Sequence, residues 1–361
     1  MNGFNYLICH TDHPISIEGV NSGAERATLA LAQGLVELGL NVFIAGKIRE
    51  GSQNRDGIQF IDVGPEYDIA EAVELVSSKG PYHLLSAGRA LSIMAAKKDP
   101  NCLTRNLICH DPSGNATGIS AHTLKLFCDH IISVSNAQKQ LIEQAEFPSN
   151  KISVVNNGVD KQKFYPDQSI TRDPNKLVFV GALVRDKGIE LLINSFIELK
   201  RKHPQLTLDV FGSSTMWSRA PLFDERQVES QVPGIKFHGA VGQEVLVDAY
   251  RRAGLCILPS IWFDSYPLTA VEANACRCPV VGFDIGGIPE AIKDGQTGII
   301  IKEIGFETLT QTLDELLSNR RKLETLWQST LNSIGLIPTW KDTANKIVEL
   351  LGAENSAKAI G

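Results

Sequence analysis

Residues 256–302 constrain the fold more than any other part of the chain. Short apolar runs at 256–258 and 278–283, and a last one entered through Gly298, are punctuated by proline and glycine. Pro259 closes the first run, and residues 260–266 read as a loop. Pro267 lacks an N–H and has its φ preset for a first helical turn, so a helix is expected to start there. Gly286-Gly287 reads as a turn and Pro289 as the start of a short helix. Gly295 and Gly298 permit the backbone that closes this helix and returns the chain. The order is strand, loop, helix, strand, turn, short helix, strand, which is an α/β pattern with a parallel sheet.

Two carboxylates lie in this stretch, Asp264 in the loop and Glu272 inside the expected helix. The helix start offers free N–H groups and the positive end of a helix dipole, which suits a phosphate. Carboxylates would repel that phosphate. They suit hydroxyls on either side of it, a ribose and a sugar, as in a nucleoside diphosphate sugar. A glycosidase pair is the other use of two carboxylates. It is disfavoured because both acids sit on one short stretch beside a phosphate-type helix start.

The segment resembles the donor site of the retaining glycosyltransferases of family 4, within glycosyltransferase group 1. Their signature is two glutamates separated by seven residues, then a helix of small residues, Pro-Val-Val and Gly-Gly-x-Pro-Glu-x-Ile. Here Asp264 stands where the first Glu is usual, Glu272 matches the second, and Arg277 replaces a common Gly. The resemblance implies an α/β, GT-B fold: two Rossmann-like parallel-sheet domains facing a central cleft. It implies domains at 1–167 and 168–337, with a C-terminal helix of about 338–361 returning to the first.

Other positions fit the same family. Residues 5–9 read as a strand, 10–23 as a loop and 24–38 as a helix with a broad apolar face. The loop carries Gly19 and Gly23 but is not G-x-G-x-x-G, so a nicotinamide site is disfavoured. The resemblance places such a loop between donor diphosphate and acceptor; the structural reading is a tight strand-to-helix connection. Further strands are expected at 57–63, 83–86, 106–109, 131–134 and 152–155. His110-Asp111-Pro112 follows one of them, and ligands of such sheets bind at the carboxyl ends of strands. The family's His near this point contacts the donor sugar. His130 reads as structural. Asn157-Gly158-Val159-Asp160 and Phe164-Tyr165-Pro166 match family motifs at the end of the first domain, read as an anchor for a linker at 167–175.

The second domain opens with a strand at 176–180 and a loop bearing Arg185 and Lys187, then a helix to about 202. In the family an Arg and a Lys of this loop reach the diphosphate. Lys187 matches, whereas Ala182 occupies the Arg position and Arg185 is the candidate replacement. Strands at 206–211 and 235–238 end near Gly212 and Val241, expected to line the nucleotide side. The helix start contributes Tyr266, Pro267, Leu268 and Thr269. Trp217 lies in an insert of no assigned role. The 354–361 tail is expected to fray.

The 361 residues suit two domains. A net charge of -6 argues against nucleic-acid binding but not against a local phosphate pocket. Seven cysteines, an odd number mostly in apolar runs, suggest reduced thiols and a cytoplasmic protein. Cys276-x-Cys278 lacks a second Cys or His pair at zinc spacing. The N-terminus is not a signal peptide by pattern, and no apolar run approaches a membrane span. Lys200-Arg201-Lys202 complements a helix dipole; as a basic patch it keeps peripheral membrane contact open.

No Asp-x-Asp pair occurs, so no metal and no cofactor are expected, with a UDP- or GDP-linked sugar as co-substrate. The expected activity is a retaining hexosyltransferase with His110, Asp264, Glu272 and Lys187 as catalytic residues. The acceptor is a saccharide, a lipid-linked glycan or a small molecule. The alternatives are a non-catalytic sugar-nucleotide binder and a nucleotide-sugar epimerase or phosphorylase of the same fold.

Overall fold

The computed structural model describes residues 4–64, 66, 68–88, 91–110, 121–214 and 221–358, with backbone alone at 11, 12, 91, 121–123 and 354–358. Asp111-Pro112 and Trp217 lie outside the described residues. The chain forms two units, one of residues 1–158 with 338–361 and one of 159–337.

The first unit runs β1 (Asn5–Ile15), α1 (Gly23–Glu37), β2 (Asn41–Ile48), β3 (Gln53–Arg55), β4 (Ile58–Asp62), α2 (Ile69–Ser77), β5 (Tyr82–Ala87), α3 (Leu91–Ala95), β6 (Cys102–Cys109), α4 (Ala121–Phe127), β7 (His130–Ser133), α5 (Asn136–Gln144) and β8 (Ile152–Val154). Its sheet order is β3-β4-β2-β1-β5-β6-β7-β8. Every pairing is parallel except β3 with β4. All six residues of β5 are buried, as a central strand covered on both faces requires. β1 is longer than expected: it pairs with β2 to His10, shifts register, and pairs again at Ile15 with Ile48. Residues 10–15, read as loop, are therefore strand. They escaped notice because His, Thr, Asp and Pro interrupt the apolar run.

The second unit continues with β9 (Asp173–Val180), α6 (Ile189–Lys202), β10 (Thr207–Phe211), α7 (Glu225–Gln231), β11 (Ile235–Phe237), α8 (Gln243–Arg252), β12 (Ala253–Leu258), α9 (Leu268–Ala275), β13 (Val280–Phe283), α10 (Ile288–Ala291), β14 (Gly298–Ile301), α11 (Phe306–Ser318) and α12 (Arg320–Ser333). Its six strands are parallel in the order β11-β10-β9-β12-β13-β14. In this doubly wound order the connections diverge between β9 and β12, and the crevice outside their carboxyl ends is where such sheets bind ligands. One face of the sheet packs Leu208, Val210, Leu255 and Ile257 against Phe196, Leu313 and Trp327. The chain then returns to the first unit as α13 (Trp340–Lys358), which packs on α1. It stays helical into the segment expected to fray.

Glycine decides that return. A Cβ on Gly158 would lie 2.4 Å from Trp340 N, and one on Gly34 of α1 2.4 Å from Trp340 O. Thr343 Oγ1 donates to Asn156 O at 2.9 Å. The Asn156-Asn157-Gly158 stretch thus holds the start of α13 inside the first unit. The division falls earlier than the expected 167/168 boundary, for a local reason. Phe164 is buried beside Tyr250, Tyr165 O accepts from Arg251 Nε at 2.9 Å, and Arg172 donates to the carbonyls of Tyr250, Ala253 and Cys276. Residues 159–172 are bound to the second unit, so 167–175 is no free linker.

The helix α9 ends in a Schellman turn. Cys278 N donates to Ala273 O at 2.8 Å and Arg277 N to Asn274 O at 2.9 Å. Arg277 takes the left-handed φ of 64° that this motif reserves for glycine. A side chain there costs about 1–2 kcal/mol, partly offset by the lower entropy of a non-glycine unfolded chain. Arg277→Gly is expected to stabilise the protein by about 0.5–1 kcal/mol, read as a higher midpoint in urea unfolding.

Candidate functional site

At the carboxyl end of β9, residues 185–187 form a single 3-10 turn, and Gly188 caps α6 with a φ of 68°. A Cβ at Gly188 would sit 1.8 Å from Pro259 O, in the loop after β12. Only glycine allows that approach. Ile261 N donates to Asp186 O at 3.0 Å and locks the two loops together. This docking brings Lys187 Nζ to 2.5 Å from Asp264 Oδ2, across 77 residues of sequence. The lysine is 26% and the aspartate 11% exposed. The pair stays reachable while shielded enough for its charges to matter.

The Gly286-Gly287 turn supports Asp264 from behind. Gly287 N donates to Asp264 O at 2.7 Å, and a Cβ on Gly286 would lie 2.4 Å from the same oxygen. Pro267 is the N-cap of α9 rather than its first residue, with ψ of 118°, and the helix begins at Leu268. Ala270 N is taken by Pro267 O. The tip of α9 therefore presents Leu268 and Thr269, whose N–H groups precede the helix's own acceptors. Thr269 Oγ1 donates to Val180 O at the end of β9. Tyr266 is buried, and burial followed by the charge of Glu290 pushes its phenol up. Glu272 lies inside α9 at 4% exposure.

Arg185 is turned away: it is 72% exposed and paired with Glu190 at 3.3 Å. Ala182, at the position expected for Arg, is buried. Gly212 has φ of 141°, and its Cβ would meet Gly181 O at 1.8 Å, so β9 and β10 end in close backbone contact. Val241 is half-buried beyond β11. Sequence reasoning passed over the support below these ends. Asp209 accepts from Lys176 at 2.9 Å and bonds His238 at 2.8 Å, while His238 stacks on Phe211 at 4.5 Å. The cations closing α6 are engaged within the unit: Lys200 with Leu206 O, Arg201 with Glu198, Lys202 with Asp314.

In the first unit, Gly19 sits against Ser16, whose hydroxyl donates to Glu50 Oε1 at 2.6 Å. Glu50 also accepts from Ile17 N at 3.0 Å, so the loop is pinned by a carboxylate. Gly23 is the exposed first residue of α1. His110 is half-buried at the end of β6. Burial, then the nearby His10 charge, lowers its pKa to about 4, against the opposing effect of Glu25. It is neutral at physiological pH. His10 and Glu25 were not singled out from sequence. The sole signal was a strand-end His followed by an acid in the first turn of α1. His130 is buried and bonds Ser153 at 2.9 Å, as a structural residue would. All seven cysteines are free thiols. No described helix is long and apolar enough to cross a membrane.

The two doubly wound units have the GT-B fold. Residues 160–330 match the family described as glycosyl transferases group 1. A D-inositol 3-phosphate glycosyltransferase of Mycobacterium sp. (strain JLS) is 33% identical over 202 residues, covering 52% of this chain and 44% of the relative. The chain spans about half the length of the curated relatives it matches. Sucrose-phosphate synthase from Thermosynechococcus elongatus superimposes with a TM-score of 0.77 at 17% identity, over 97% of this chain and 99% of that one. Anabaena HepE in complex with UDP-glucose does so with 0.74 at 16%, over 96% and 99%.

One expectation concerns acid stability. Burial raises the Glu25 carboxyl, but the facing His10 imidazole at 3.6 Å and the hydrogen bond from Ser22 outweigh it, lowering the pKa from 4.5 to about 2. With the folded value depressed, the stabilisation is complete above pH 4.5 and is lost as pH falls toward 2. Glu25→Gln should flatten the loss of thermal stability across that window, followed by unfolding temperature against pH.

Proposed function

We propose that the protein is a retaining glycosyltransferase that moves a hexose from a nucleoside diphosphate sugar to an acceptor hydroxyl without a metal ion. The observation that carries the reading is the Lys187–Asp264 pair at the switch point, whose aspartate is on the loop that leads to the open tip of α9. A diphosphate arriving there exchanges one anion for another at Lys187. The lysine turns from Asp264 to the phosphate, and Asp264 becomes an acceptor for sugar hydroxyls. The N–H groups of Leu268 and Thr269 and the dipole of α9 receive the remaining charge. Such prearranged donors stabilise a leaving diphosphate most as its charge develops. Glu272 is assigned to the ribose, and Gly212 and Val241 to the nucleotide. Neutral His110 is assigned to the transferred sugar, which it serves by hydrogen bonding rather than by charge. Retention follows if the departing phosphate takes the acceptor's proton on the face it leaves, so that no protein nucleophile is required.

The complex of HepE with UDP-glucose supports a uridine donor as the first to try. The acceptor is assigned only as a hydroxyl-bearing saccharide, lipid-linked glycan or small molecule, and the site of action as the cytoplasm, with peripheral membrane contact. A second reading, a sugar-nucleotide binder without turnover, is favoured by one observation. Ala182 and the outward Arg185 leave Lys187 as the cation of this loop facing Asp264.

Donor hydrolysis over a panel of UDP- and GDP-sugars separates the two, because a binder shows calorimetric affinity and no product. Lys187→Ala should lower turnover by about 100- to 1,000-fold and weaken UDP binding, with the unfolding temperature held. Near-normal rates would remove Lys187 from the phosphate site. Asp264→Glu should preserve or raise activity; complete loss would show a pocket tuned to the shorter acid.

A further inference from the structure

The loop after β12 carries a side chain with no role in the scheme above. Trp262 is 63% exposed. Its neighbours turn inward: Ile261 packs against the core of the second unit, and Ser265, Tyr266 and Pro267 are buried. Indoles are ordinarily well covered. Trp327 of α12 is the usual case, buried with its Nε1 donating to Gly254 O at 2.8 Å. Among the described residues the Trp262 side chain makes no hydrogen bond and no ring contact. Its backbone is nonetheless fixed on both sides. Ile261 N donates to Asp186 O at 3.0 Å, and Asp264 O accepts from Gly287 N at 2.7 Å. Asp264 is held again through its carboxylate by Lys187 at 2.5 Å. Two residues of chain reach at most about 7 Å, so the Cα of Trp262 stands within that distance of the Cα of Asp264. A flat apolar ring on a pinned loop, beside an acid, has the form of a sugar subsite. The carboxylate takes hydroxyls, and the ring takes the face of a pyranose lined by C–H groups. A platform already held in place loses little freedom on binding.

We propose that Trp262 is a specificity-determining residue that stacks on the C–H face of a pyranose, the hexose of the nucleotide sugar whose hydroxyls Asp264 receives. A nucleobase is the other flat group of such a ligand. It is assigned to Gly212 and Val241, which follow β10 and β11, and these strands lie on the far side of β9 from β12. A protein or membrane partner spreads its contacts over a wide patch. Trp262 is the one exposed residue of 259–269, which suits a single ring. The identity of that ring rests on the assignment of the site to a nucleotide sugar; the stacking is read from binding, without turnover.

The test titrates the full chain with UDP- and GDP-linked hexoses, using UDP and GDP as the sugar-free references. The difference in emission between the wild type and Trp262→Phe separates the Trp262 signal from that of the chain's other tryptophans. Trp262 should be open to acrylamide quenching in the free protein and with UDP or GDP, and protected by the matching nucleotide sugar. By calorimetry Trp262→Ala should leave the Kd of the nucleotide unchanged and raise that of the nucleotide sugar about three- to tenfold, with Trp262→Phe between. The unfolding temperature should hold, because an exposed side chain contributes little packing. Equal weakening of nucleotide and nucleotide sugar would overturn the proposal, since it reports a displaced loop and not a lost stack. Unchanged affinity for both would overturn it too. Protection by a free saccharide and not by the nucleotide sugar would overturn the assignment to the transferred hexose. Protection that grows with protein concentration alone would replace the sugar with a second copy of the chain. A protein that binds none of these nucleotides loses the reading of the site together with this one. Binding without transfer removes the transferase reading and leaves the stack standing.

Discussion

A backbone approach that only glycine permits sets the rest of the second unit. Gly188 lets the turn after β9 rest on the carbonyl of Pro259 in the loop after β12. Those two loops come from the pair of strands at which the sheet's connections diverge. Any side chain at 188 would separate them, and with them Lys187 and Asp264. The ion pair is thus a consequence of backbone packing, and its two members need no affinity for each other in the unfolded chain. Gly212 against Gly181, and Gly286 against Asp264, repeat the device at neighbouring strand ends. The carboxyl edge of the sheet is built from close backbone contacts, which keeps side-chain bulk away from it.

The pairing also changes how the site reads electrostatically. Lys187 is not a bare cation awaiting phosphate, because Asp264 already neutralises it. On the proposed reading, a diphosphate would compete with a carboxylate and binding would be an exchange of partners, freeing Asp264 to accept hydrogen bonds only when the diphosphate is present. The first unit uses the same economy differently. Glu50 accepts from the Ser16 hydroxyl and from the N–H groups of Ile17 and Glu18, so the Gly19 loop is held by an internal anion.

Much of the architecture was legible in the chain itself. The apolar runs of β5, β12 and β13, closed by proline or glycine, announce buried parallel strands. Pro267 marks the start of α9 to within one residue, since its missing N–H and fixed φ are local properties. Arg277 is legible as an oddity, and the structure supplies its meaning as a left-handed residue closing a helix. The hidden parts were those without a local signal. The strand through residues 10–15 carries polar residues because its register is held by β2. Arg185 reads as a phosphate ligand by charge and position, yet Glu190 one helical turn away holds it at the surface.

Sequence alone determined the alternation of strand and helix, the helix tip and the kinds of groups around it, because periodicity, capping and turn chemistry act over a few residues. The burial of His10 with Glu25, and the meeting of Lys187 with Asp264, were decided only by the tertiary structure. Both depend on which strands lie side by side, a choice made by the packing of whole sheets and helices, which no short stretch of chain encodes.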